Sequence, residues 1–216
     1  MSKSIYLEII DSAYIYASDE IVELNIKTLV PKMMTRRRLT RAAKIAIYLA
    51  DQVNFEKGRI IYGSSFGELQ ATAAILEAIT KQEMISPTHF QNSVYNTAVS
   101  YLSMLHHNQE EIMTISSGDN TALNVLKVGA VKALEEDTIL LLVTETLHIN
   151  HIEKVNKCAV DLECGVALKV KLTYQKATMD FHTFSNEAHI PKAVSQMFNI
   201  AKNCHKNETN IIEIIL

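Results

Sequence analysis

The sequence predicts an α/β fold, because strand-like and helix-like apolar patterns alternate along its 216 residues. Residues 59–62 are rich in β-favouring side chains, residues 63–67 form a turn bounded by two glycines, and residues 68–81 have helical spacing. Residues 111–116 and 119–134 repeat this order of strand, glycine turn and helix. Units of this kind are typical of α/β proteins, in which helices cover a sheet.

The remaining elements are predicted from the same periodicities. Their expected positions are strands at residues 5–10, 21–26, 138–143, 165–172 and 210–216, helices at residues 35–52, from 93 or 95 to 105, and 190–203, and a loop at residues 85–90. The loop is expected because Pro87 disfavours helical geometry at Ser86. Only six glycines and three prolines are present and no repeat is visible, so one domain spanning residues 1–216 is expected.

Composition excludes several classes of protein. The longest apolar run, residues 138–144, is far shorter than the roughly 18 residues that a membrane span needs. The N-terminus lacks the features of a signal peptide, and the odd set of Cys158, Cys164 and Cys204 has no metal-type spacing, so reduced thiols in the cytoplasm are expected. The net charge of -3 argues against a nucleic-acid partner.

One local cluster of cations stands out against this acidic background. It lies at the start of the predicted helix at 35–52 and comprises Arg36, Arg37, Arg38, Arg41 and Lys44. One interpretation is a solvated helix face with internal ion pairs. The other is a docking patch for an acidic partner.

The turn at residues 63–67 matches the G-x-S-x-G pattern of a hydrolase nucleophile elbow, with Ser65 at the nucleophile position. A hydrolase also needs a histidine further along the chain, and His148, His151, His182 and His189 are available. The alternative is a tight packing turn, which small serines suit equally well.

Other histidines offer weaker signals. His148 and His151 are spaced to share a helical face near Glu153, as metal ligands do, but surface histidines in a loop explain them as well. Without a motif that supplies a third ligand, neither a metal nor a cofactor is predicted. His89 and Phe90 are expected in a packed corner beside Pro87.

The second glycine turn, residues 116–119, leads into a predicted helix that begins at Asp119. A helix N-terminus offers unpaired backbone N–H groups and a partial positive charge, which lower the pKa of a thiol there and stabilise an oxyanion. Asp119 is expected to cap the helix.

Taken in order, these segments resemble the N-terminal half of the β-ketoacyl synthase family, and in particular its short, chain-length-factor-like members of aryl polyene and flexirubin-type pathways. The resemblance covers roughly residues 30 to 172. The segments are residues 36–41, 60–67, 86–96, 114–123, 137–145 and 163–170.

The resemblance implies a thiolase-like layered fold, N-terminal half only, with a central mixed sheet covered by helices. Asp119 stands where the family has its nucleophilic cysteine, and Ser117, Gly118 and Asn120 complete the expected remnant of the acyl site. No histidine of this chain matches the two catalytic histidines of the family. The resemblance therefore implies a non-catalytic subunit that supports polyketide or fatty-acid-type chain elongation.

The resemblance also implies partners. These are a catalytic ketosynthase and an acyl carrier protein, the latter docked on the cation cluster. Because the family's two-fold interface lies near the strand at 111–116, a homodimer is also possible. Two alternatives are a small ester or acyl-thioester hydrolase using Ser65 and a stand-alone acyl-binding protein.

Overall fold

A six-stranded mixed sheet forms the centre of the chain in the computed structural model, which describes residues 3–135, 137–152, 160–184, 188–205 and 208–216. Its strands are β1 (Ser4–Ala17), β2 (Arg59–Gly63), β3 (Ile112–Ile115), β4 (Ile139–Thr146), β5 (Glu163–Thr173) and β6 (Asn210–Ile215). The spatial order is β3-β2-β4-β5-β1-β6. β2 pairs in parallel with β3 and β4, whereas the β4–β5, β5–β1 and β1–β6 pairs are antiparallel. The predicted mixed sheet is confirmed.

Helices cover both faces of this sheet. The helices of the described residues are α1 (Ile26–Leu29), α2 (Met33–Arg38), α3 (Arg41–Gln52), α4 (Leu69–Thr80), α5 (Pro87–Asn92), α6 (Thr97–His106), α7 (Thr121–Ala133) and α8 (Lys192–Asn203), and not all of them contribute to this cover. α7 and α8 pack on one face, where Val125 and Phe198 share a core with Leu141 of β4. α3 and α6 pack on the other, where Leu49 and Leu102 share a core with Leu140. All of β4 is buried, which explains its continuous apolar sequence.

The N-terminal segment differs from the prediction of two short strands. β1 is a single strand of 14 residues that pairs along its length with β5 and over its first half with β6. Residues 21–25 form no strand; Ile21 and Leu24 are instead buried against the helix layer of α3. The apolar pattern of this segment therefore arises because Ile21 and Leu24 each pack into the core, not because the segment forms a β-strand.

Two helix predictions also need correction. The helix expected at 35–52 is divided into α2 and α3, because Thr40 adopts an extended conformation and its side chain accepts a hydrogen bond from Ala43 N at 3.1 Å as the N-cap of α3. The loop expected at 85–90 contains α5. Ser86 is extended, as Pro87 requires, but proline is well suited to the first helical position, so a helix begins there.

Candidate functional site

The turn that resembles a nucleophile site lies at the C-terminal end of β3. Gly118 has a φ of +56°, which suits glycine, and opens a 3₁₀ turn, Gly118–Asn120, that leads into α7. The buried hydroxyl of Thr121 ties the turn together, since it donates to Gly118 O at 2.7 Å and accepts from Ser117 N at 3.1 Å. Gly118, Asp119 and Asn120 are exposed and Ser117 is half-buried.

The prediction that Asp119 caps the helix is wrong. α7 begins at Thr121 with Asn120 as the N-cap residue, and the Thr121 hydroxyl supplies the local side-chain bonds. The Asp119 side chain is 73% exposed and lies 3.8 Å from Lys192 Nζ at the start of α8. Asp119 lies in the 3₁₀ turn before the helix, and its carboxylate faces solvent, not a sealed core.

The first glycine turn, residues 64–67, is built around a buried carboxylate that the sequence did not reveal. Glu145, near the end of β4, is fully buried and accepts hydrogen bonds from Ser64 Oγ at 3.1 Å, from Ser65 N and from Phe66 N at 3.4 Å. Ser64 Oγ in turn accepts from Gly67 N at 2.8 Å. Burial raises the pKa of the Glu145 carboxyl to about 7, while the hydrogen bonds from the turn lower it.

This geometry differs from a hydrolase elbow. An elbow places its nucleophilic serine at the strained point of the turn. Here the positive φ, +61°, falls on Gly67, and Ser64, not Ser65, bonds to the acid. Among the described residues, no hydrogen bond joins the Ser65 hydroxyl to a histidine. The turn matches the packing alternative that the sequence left open.

A second buried carboxyl follows directly. Glu68 is the N-cap residue of α4 and is 6% exposed, and its Oε1 accepts from Thr40 Oγ1 at 2.7 Å. Burial raises the pKa of Glu68 to about 7. Thr40, the N-cap residue of α3, thus bonds to the residue that precedes α4.

The structure divides the cation cluster into two groups. Arg36 Nη1 donates to Val30 O at 2.7 Å, and Arg41 Nε donates to the fully buried Glu163 at 2.7 Å. Both side chains are therefore bonded within the fold, and the charge of Arg41 is also paired with that of Glu163. For Arg37, Arg38 and Lys44, no ion pair is found within the described residues.

Two of these three cations lie at an open groove of about 750 Å³ between residues 21–28, α2 and the start of α3. Arg37 and Lys44 line it together with apolar side chains, among them Val22 and Met33, which are more than half exposed. The groove therefore combines positive charge with apolar surface, a combination that suits an acidic, amphipathic partner.

The histidines form no metal site in the part of the chain that is described, and His189 Nδ1 is hydrogen-bonded to Asp161 Oδ2 at 2.5 Å. His148 lies 3.3 Å from Asp19 Oδ1 and 3.8 Å from Glu163 Oε1, and Glu153, the third member of the suggested metal site, lies outside the described residues. No group of three or more metal-ligating side chains is found among the described positions. The packed corner expected at His89 is wrong, since neighbouring Phe90 is 69% exposed.

An apolar arm is the largest feature that the sequence analysis missed. We define the arm as residues 69–92, comprising α4, α5 and their connection. None of the 12 residues of α4 is buried, although eight of them are Ala, Ile or Leu. Leu76 and Ile79 are each more than half exposed, and Met84 beyond the helix is 96% exposed. A helix that is apolar on most sides is normally buried, so the arm is an unpartnered surface.

The arm begins beside an edge of the sheet. β3 is the edge strand, and Ser116, just after it, donates from Oγ to Ser65 O at 3.3 Å at the base of the arm. Edge strands present unpaired backbone groups that pair readily with another chain. The open edge and the apolar arm therefore form one continuous candidate interface.

The layered sheet and its two glycine turns define a thiolase-like fold of the ketosynthase type. The chain belongs to the β-ketoacyl synthase family, because the sequence profile for "Beta-ketoacyl synthase, N-terminal domain" matches residues 16–215. No protein of curated function matches in sequence.

Solved structures show the same fold. A chain from the ketosynthase ApeO in complex with its chain length factor ApeC, from Xenorhabdus doucetiae, superposes with a TM-score of 0.67 at 21% identity, covering 90% of each chain. A chain of the ishigamide ketosynthase/chain length factor superposes with a TM-score of 0.55 at 15% identity, covering 71% of this chain and 49% of that one. A chain of the AntDE:AntF complex, a type II PKS acyl-carrier protein with its ketosynthase, gives 0.57 at 11% identity, covering 76% and 62%.

Within the described residues, none of the helices has both the length and the apolar character needed to cross a bilayer.

Proposed function

We propose that this chain is a non-catalytic ketosynthase-like subunit, of the chain-length-factor type, that pairs with a catalytic ketosynthase in the cytoplasm. In this role it supports elongation of a polyketide or fatty-acid-type acyl chain, with an aryl polyene pathway as the specific setting. It bounds the acyl site of its partner or stabilises that partner.

The single observation that supports the pairing most strongly is the exposed apolar arm. An α-helix of 12 residues without one buried position gains little stability from the rest of its own chain. Its position next to the open edge of β3 gives the partner both backbone groups and apolar side chains to cover. The likeness to chains from ketosynthase–chain length factor complexes favours a ketosynthase as that partner.

Asp119 disfavours condensing activity in this chain. Condensation begins with transfer of an acyl chain from a thioester to a thiolate, and an exposed carboxylate is a poor substitute for that nucleophile.

The proposed carrier-protein contact contains fewer cations than the five-residue cluster seen in the sequence. Arg37, Arg38 and Lys44 remain for docking, because Arg36 and Arg41 are bonded within the fold. Carrier proteins are acidic, so the groove lined by Arg37 and Lys44 has the charge and the apolar side chains that such a partner needs.

Co-expression with the ketosynthase encoded nearest to this gene tests the proposal. Size-exclusion chromatography with light scattering is expected to show a complex of one ketosynthase with one copy of this chain. The double variant Leu76→Asp/Ile79→Asp is expected to abolish the complex without lowering the melting temperature. The matched control, Glu77→Gln/Lys81→Gln, removes only an exposed ion pair on the same helix and should leave the complex intact.

Two results would overturn the pairing. One is the absence of any complex with ketosynthases of the pathway. The other is a stable homodimer formed through the arm, which would make a second copy the occupant of this surface.

A further inference from the structure

The connection between β2 and the arm is organised by one side chain from a different strand. Residues 64–67 leave β2, and three consecutive backbone N–H groups there point inward. Glu145 accepts two of them, from Ser65 and Phe66. The third, from Gly67, goes to Ser64 Oγ, which itself donates to Glu145 at 3.1 Å.

Such a concave set of N–H groups is an anion-binding nest, and it is often filled by an external phosphate or oxyanion. Here the anion is internal. Because Glu145 and Ser64 are both buried, water does not compete for these donors, and each bond is stronger than at a surface.

Both ends of the arm converge on this turn. At the start of the arm, Glu68 is bonded to Thr40 at 2.7 Å. After its end, the ring of Tyr95 lies over Gly67, so that a β-carbon at Gly67 would be 3.1 Å from Tyr95 Cδ1. Elsewhere the arm packs chiefly against itself, α4 on α5. The direction in which the arm leaves the sheet is therefore fixed at residues 64–68.

We propose that Glu145 is a positioning residue that sets the direction of the arm and thereby shapes the surface that receives the partner. The first part concerns the chain alone. The second part, on the partner, rests on the proposed function.

Amide hydrogen exchange of the isolated full chain tests the first part. Glu145→Gln keeps the shape of the side chain but replaces one acceptor oxygen with an N–H₂ group that faces N–H donors. Loss of this acceptor oxygen is expected to speed exchange of residues 65–67 by about tenfold or more, with a smaller increase through the arm.

The matched control is Glu163→Gln. Glu163 is also fully buried and also accepts a backbone N–H, that of Ile21 at 2.8 Å, but it does not bond to the turn. Glu163→Gln also weakens the ion pair with Arg41, so exchange is compared with that of the core strands, and relative to them residues 65–92 should exchange as in the wild type. Unchanged exchange of the turn in Glu145→Gln, or an equal increase in both variants, would overturn the assignment.

A milder variant covers the case in which Glu145→Gln does not fold. Ser64→Ala removes the acceptor for Gly67 N and one donor to Glu145, and it should speed exchange at Gly67 and in the arm while the core strands stay protected. Protection of Gly67 that is equal to wild type would contradict the proposal.

Binding to the co-expressed ketosynthase separates the two parts. Faster exchange in the arm together with at least a tenfold weaker complex supports both. Faster exchange with an unchanged complex overturns the role in shaping the partner surface. Faster exchange when even the wild-type chain forms no complex leaves Glu145 as the positioning residue and removes the proposed function.

Discussion

The guanidinium of Arg41 and the carboxylate of Glu163 form a two-point ion pair that joins α3 to the first residue of β5. Arg41 also donates to Ile21 O at 3.0 Å, while Ile21 N donates to Glu163 at 2.8 Å. The pair therefore fixes the segment after β1 to the sheet, which is a structural role for a residue that the sequence grouped with a docking patch.

Arg41→Ala is expected to lower the free energy of unfolding by about 3 kcal/mol, because it leaves a fully buried carboxylate without its cation. Arg38→Ala, an exposed neighbour in the same cluster, should change it by less than about 0.5 kcal/mol. Urea unfolding of both variants measures the difference. Equal stability of the two would show that Arg41 is a surface charge like the others.

The stability of the chain is expected to fall as the pH rises towards neutrality. Burial raises the pKa of Glu68 to about 7 from 4.5, so between these values the folded state holds a proton that the unfolded state has released. This contribution to stability is fully present below pH 4.5 and is lost as the pH rises through 7, a difference of about 3 kcal/mol.

Glu68→Gln isolates this contribution, because the amide stays neutral and can still bond to Thr40. Unfolding free energies measured from pH 5 to 8 should decline less steeply in the variant than in the wild type. Parallel curves for the two proteins would show that Glu68 titrates at its ordinary pKa.

The two candidate caps of the second glycine turn can be compared directly. Thr121→Ala is expected to cost about 1 to 2 kcal/mol, because it removes a buried hydroxyl that bonds to Ser117 N and Gly118 O. Asp119→Ala should cost less than about 0.5 kcal/mol, since the side chain is exposed and does not cap the helix. Thermal unfolding of the pair checks the order, and a larger loss for Asp119→Ala would restore it as the cap.

The unpaired cations should determine carrier-protein binding. Arg37→Glu/Arg38→Glu is expected to weaken binding of the pathway's acyl carrier protein by about tenfold and to flatten its salt dependence. The control Lys57→Glu/Lys176→Glu makes the same charge change on two exposed residues that do not line the groove. Calorimetric titration at two salt concentrations compares them. The same loss in both variants would indicate an effect of net charge alone.

The resemblance to β-ketoacyl synthases, read from short ordered motifs, identified the family and the mixed sheet correctly. Glycine turns after apolar strands are local signals, and the runs that form β2 and β4 are buried on both faces, so sequence alone revealed them. Element boundaries were less accurate where a cap decided them. Leu39 and Thr40 are extended between α2 and α3, and no periodicity of apolar residues marks that point.

The roles of the polar residues depended on the tertiary structure. Glu145 looks in sequence like the polar end of a strand, yet it fills the nest made by residues 64–67, which are about 80 positions earlier. Arg41 looks like its neighbours in the cation cluster, and only its distant partner Glu163 distinguishes it.

The sequence by itself determined that this chain has a ketosynthase-type α/β fold, because the local patterns of strand, glycine turn and helix suffice for it. The tertiary structure decided which cations are free, which carboxylates are buried and that α4 has no cover. These properties arise from contacts between distant segments, and burial changes the energy of a charge or an apolar side chain far more than its neighbours in sequence do.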